Sequence, residues 1–122
     1  MKDIQNRQDI EQLVNEFYER ARAHEELGPI FNDHIGNLWV LHYDTLYRFW
    51  ETLLLDNRVY HGAPFPKHLD LPIKDHHFDQ WIELFTQTVK DLFEGPTADL
   101  AIEKAVTIAT AFRSKMKSMV LI

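Results

Sequence analysis

Histidine is the chemically versatile residue type that this chain carries in abundance, with seven among 122 residues and no cysteine at all. Without thiols, disulfides, thiolate metal sites and cysteine nucleophiles are excluded together, so any metal must use imidazole, carboxylate or a cofactor. None of His24, His34, His42, His61, His68, His76 and His77 pairs with another at helical i, i+3 or i+4 spacing, and no Glu-x-x-His occurs. A self-contained histidine zinc motif and the pattern of a carboxylate-bridged di-iron bundle are therefore both missing. So are a glycine-rich phosphate loop and a Gly-x-Ser-x-Gly elbow, and no nucleophile stands out.

One imidazole has unusual surroundings. His68 lies between Pro66-Lys67 and Leu69-Asp70-Leu71-Pro72, where it is either a hydrogen-bonded loop histidine or the ligand of a buried iron. Haem would account for such a site, because a flat apolar macrocycle needs an apolar slot, one axial ligand and a few polar groups opposite. His42 falls inside an apolar helical stripe, and Tyr18 and Trp81 occupy similar positions. Each reads individually as a core residue whose polar atom finds a local partner. Jointly, three hydrogen-bonding groups on three helices could converge on one diatomic ligand across a metal from His68. The adjacent His76-His77 reads as the exposed start of a helix and is given no role.

The elements that would position these residues follow from apolar spacing. Ile10, Leu13, Val14, Phe17, Tyr18 and Ala21 mark an amphipathic helix over about 7–24. Gly28-Pro29 interrupts the pattern, and Ile30-Phe31 is expected in a short connection. A second helix from near Asn37 carries Trp39, His42, Leu46, Phe49, Trp50, Leu53 and Leu54 and stops near Asp56-Asn57. The stretch to Asp75 holds Gly62, Pro64, Pro66 and Pro72 and is expected to be mostly loop, packed through Tyr60, Phe65, Leu69 and Leu71 as a pocket wall. Phe78, Trp81, Ile82, Phe85, Val89 and Leu92 mark a third long helix closed by Gly95-Pro96, and Ala101, Ala105, Ile108, Phe112, Met116 and Met119 mark a fourth. No alternating run of strand length appears, so the expected class is all-α.

Thirteen basic against nineteen acidic residues give a net charge of -6, which disfavours nucleic acid as a partner. The apolar fraction of 45% and charged fraction of 26% suit one globular domain over residues 1–122. No run is apolar enough for a membrane span or signal core, so a cytoplasmic protein is expected.

In order along the chain, Leu13-Val14, Phe17-Tyr18-Glu19, Leu27-Gly28-Pro29-Ile30-Phe31-Asn32, Trp39 with His42, Phe49-Trp50, Leu53-Leu54, Tyr60-His61-Gly62-Ala63-Pro64, Lys67-His68-Leu69-Asp70-Leu71-Pro72, Phe78-Asp79-Gln80-Trp81 and Leu84-Phe85 form a series. This series resembles the group III truncated haemoglobins of bacteria nearly end to end. The absence of any Gly-Gly pair agrees, since groups I and II carry such pairs at helix ends.

The resemblance implies a truncated globin-like two-over-two helical sandwich that binds haem b through His68. Tyr18 and Trp81 would face the distal side and His42 the distal mouth. Phe31, Leu46, Phe49, Trp50 and Phe85 would line the pocket beside His42 and Trp81, and Arg48, Arg58 and Lys67 are the candidate propionate partners. The implied ligands are O2, NO and CO, with O2/NO or reactive-oxygen chemistry in preference to bulk transport. NO dioxygenase or peroxidase-like turnover would need a separate reductase, because nothing in the sequence binds flavin or nicotinamide. The contrasting reading is a cofactor-free all-α interaction or regulatory module, in which the same polar side chains only satisfy core hydrogen bonds.

Overall fold

Among the described residues, a computed structural model of the chain has five helices: α1 (Arg7–Ala23), α2 (Leu27–Ile35), α3 (Trp39–Leu55), α4 (Asp75–Leu92) and α5 (Pro96–Val120). The structure describes residues 1–56 and 73–120, and among the described residues there is no strand. His68, the rest of the expected pocket wall, Arg58 and Lys67 lie outside the described residues.

The α1 stripe is buried along its whole length, from Ile10 to Ala21. Its start is fixed by Asn6, whose side-chain oxygen accepts from the Asp9 amide at 3.0 Å, while Asp9 accepts from the Gln5 amide at 2.9 Å. The Asp9 amide is one of those a helix N-terminus leaves without an intrahelical acceptor, and the Asp9 side chain in turn holds the residue before the cap. Lys2 adds an ion pair to Asp9 at 2.7 Å.

The connection expected at Gly28-Pro29 is instead the first turn of α2. Proline is tolerated there because the first amides of a helix lack intrahelical acceptors. His24 supplies the missing partner, its Nδ1 accepting from the amides of Glu26 at 3.1 Å and Leu27 at 3.2 Å. Gly28 permits the close approach of α2 to the end of α1, since a Cβ at this position would lie 2.4 Å from the Arg22 carbonyl oxygen. The two residues that look like a break are what let a helix begin directly after another ends.

α1 packs on α2, α3 and α4, and α4 packs most extensively on α5. The result is a two-over-two sandwich, with α1 and α3 in one layer and α4 and α5 in the other. Phe17 and Phe85 meet between the layers at 5.1 Å between ring centroids, both 1% exposed. Full burial of each such ring contributes roughly 1.5–3 kcal/mol. Trp50 stacks on Phe85 at 4.9 Å and joins α3 to the same aromatic centre. Residues before α1 close the other end of the fold: Asp3 accepts from the amides of Thr97 at 3.0 Å and Ala98 at 2.8 Å and so caps α5.

Candidate functional site

Helix periodicity places Tyr18 one residue beyond Phe17 on the buried face of α1, with the phenol ring 7% exposed. His42 comes from the first turn of α3 and Trp81 from the second turn of α4. These three helices bring the three polar rings into one cluster. The Tyr18 and His42 rings meet edge to face at 5.9 Å, and the Trp81 indole, whose N–H can only donate, lies near enough to the Tyr18 phenol to ease its ionisation.

Burial pushes the Tyr18 phenol well above the usual tyrosine range, and neighbouring Tyr43 acts in the same direction, while the nearby Trp81 indole opposes both. Burial disfavours the phenolate, so Tyr18 keeps its proton through neutral and moderately alkaline pH. The cluster therefore presents neutral donors, which could stabilise negative charge gathered on a small ligand without themselves titrating.

An aromatic shell holds the donors. Phe31 meets Tyr18 at 6.0 Å from α2, and Trp39 packs on both Tyr18 at 6.0 Å and His42 at 5.7 Å. The Arg22 guanidinium covers the Trp39 ring at 4.3 Å, a cation–π contact that braces this corner. On the other side Trp81 stacks on Phe85 at 5.5 Å and 15° between planes. Phe85 and Trp50 are thereby fully buried behind Trp81, whereas Leu46, Phe49 and Leu53 are half-buried along α3. Arg48 pairs with Asp44 on its own helix.

Two members of this shell were missed by reading single stripes. Tyr43 contacts Tyr18 at 6.2 Å and Trp39 at 5.6 Å, and its position four residues after Trp39, on one helical face, was the available signal. Phe17 is the second, an edge-on support for both Tyr18 at 4.8 Å and Trp81 at 5.6 Å.

A sequence profile of the bacterial-like globins matches residues 2–118. The chain belongs to that family and, within it, to the group III truncated haemoglobins. The group 3 truncated haemoglobin of Campylobacter jejuni is 33% identical over 115 residues, covering 91% of each chain. The crystal structure of the group III truncated haemoglobin from Campylobacter jejuni matches with a TM-score of 0.87 at 33% identity, over 95% of each chain.

Globins bind haem and diatomic gases, and the donor set here fits such a group. An apolar macrocycle calls for apolar walls with a few polar donors above one face. The half-buried apolar residues of α3 and the Tyr18, His42 and Trp81 cluster provide those two features on adjoining helices. Among the described residues, no helix is long and apolar enough to cross a membrane.

Proposed function

We propose that residues 1–122 act as one truncated globin domain that holds haem b through His68 and binds O2 and other diatomic ligands. The observation that carries this reading is the contact of Tyr18 with both His42 and Trp81, three polar rings on three helices inside an aromatic shell. Family membership supplies the expectation of haem, and the place of His68 in the sequence, between α3 and α4, supports it as the residue that would hold the iron. Bound haem would supply an iron with one open position for a diatomic ligand.

The chain's own residues would then do the following. Neutral His68 would hold the metal through one ring nitrogen, with a backbone or carboxylate acceptor on the other N–H to set its basicity. Tyr18 would offer its phenolic proton and Trp81 its indole N–H to a bound ligand, each favouring one that carries negative charge. His42, half-buried at the start of α3, would stand at the mouth and gate entry. Phe31, Leu46, Phe49, Trp50 and Phe85 keep water out and hold the donors in place.

Slow O2 release follows from two donors, and it suits O2, NO or reactive-oxygen chemistry in the cytoplasm better than bulk transport. Sustained turnover would draw electrons from a separate reductase. The test is the O2 dissociation rate of Tyr18→Phe. Each hydrogen bond to a charged group is worth roughly 1.5–3 kcal/mol, so release should quicken by about one to two orders of magnitude. An unchanged rate would remove Tyr18 from the ligand's surroundings.

A further inference from the structure

Away from the aromatic cluster, a second group of polar side chains gathers where α2 and α4 begin. Glu26 Oε2 lies 3.0 Å from His76 Nε2 and 3.7 Å from His77 Nε2. Ligand atoms from the three residues all fall within 4.8 Å of one another. The same Glu26 oxygen accepts from Gln80 Nε2 at 2.9 Å. The carboxylate thereby fixes which way the Gln80 amide points, and the other end of that amide, Oε1, is buried without a hydrogen-bond partner. A buried acceptor without a partner is uncommon and calls for an ion or water beside it.

We propose that Glu26, His76 and His77 form a binding site for a transition-metal dication of the zinc, nickel or copper type. Two imidazoles and one carboxylate are the ligands that such ions prefer, at bond lengths near 2.0–2.2 Å, which place neighbouring ligand atoms roughly 3.3 Å apart in a tetrahedral site. The present separations of 3.0 and 3.7 Å bracket that value, so the side chains already stand near the spacing an ion would require.

The position of the His77 ring is already set, because its Nδ1 accepts from the Lys74 amide at 2.9 Å. That contact leaves the ring proton on Nε2, so metal entry moves the proton to Nδ1 and releases the Lys74 amide. His76 and Glu26 are accordingly the primary ligands and His77 the third. A bound ion would tie the start of α2 to the first turn of α4, directly after the segment that carries His68.

The experiment is a calorimetric titration of zinc chloride into the purified full-length chain, alongside Glu26→Gln and His76→Ala. Both side chains are about half exposed, at 47% and 55%, so neither change disturbs the core. A saturating zinc site weakened about tenfold or more in each variant is the expected result. No binding to the native chain, or a native-like isotherm in either variant, overturns the proposal. A second measurement does not depend on the variants: in the native chain, zinc should shift the imidazole 15N resonances of both His76 and His77. Shifts confined to other histidines would place the ion elsewhere and reject the site.

Discussion

The indole of Trp81 sits beside the phenol of Tyr18 and eases its ionisation, so two polar groups of the aromatic cluster act on each other before any ligand arrives. A ligand that recruits both donors must fit against the pair. Removing either side chain therefore changes what the other can do, and the effects of the two should not add.

That coupling gives the first prediction. O2 dissociation should accelerate in Trp81→Phe, by less than in Tyr18→Phe, and the double variant should release O2 no faster than about the product of the single effects divided by several-fold. Stopped-flow mixing with excess CO reads all four rates. Strict multiplicativity would show that the two donors act independently.

Burial of the Tyr18 phenol makes an alkaline prediction. Its pKa is raised in the folded chain above the ordinary value of 10.0. Stability from keeping it neutral is therefore fully present below about pH 10 and is lost as pH rises above that value, where only the unfolded chain ionises readily. Urea midpoints measured between pH 8 and 11.5 should fall less steeply for Tyr18→Phe than for the native chain. Equal slopes would mean that another group governs the alkaline limb.

At the opposite end of the fold, Asp3 makes an acid prediction. Burial opposes its ionisation, but the amides of Thr97, Ala98 and Ile4 outweigh that and hold the carboxyl below its ordinary value of 3.8. Its stabilising effect is then present above about pH 4 and is lost as pH falls through the lowered value. Asp3→Ala should cost about 1 kcal/mol at pH 7, as for other helix caps, and little below pH 3. Gly95 belongs to the same joint: a Cβ there would lie 2.6 Å from the Asp3 side chain, and its φ of +143° suits only glycine.

Phe85 is predicted to be a residue of stability. It is 1% exposed between Phe17, Trp50 and Trp81, so Phe85→Ala should cost about 3–5 kcal/mol by denaturant unfolding. A loss below about 1 kcal/mol would show that the aromatic centre repacks around the gap.

Much of the architecture is legible in apolar spacing, because long helices with one buried face write their period into the sequence. The stripes on α1, α3, α4 and α5 are of this kind. α2 is not, since a nine-residue helix shows little more than two turns of pattern and its Gly28-Pro29 start reads locally as a break. Its cap comes from the His24 imidazole, a residue type rarely counted as a helix cap. Tyr18, His42 and Trp81 could be named as polar groups on apolar faces, but their mutual contact depends on how α1, α3 and α4 cross. The Glu26, His76 and His77 group was invisible for the same reason. The adjacent histidines carry no spacing signal by themselves, and their carboxylate partner comes from a distant part of the chain.

The most direct test of the account concerns His68. Absorption spectra of the purified chain, oxidised, reduced and reduced with CO, should be recorded beside those of a His68→Ala variant. The account predicts a Soret band that shifts with CO in the native chain and is lost or much weakened in the variant. No Soret band even after haem is added, or a band unchanged by the substitution, would contradict it.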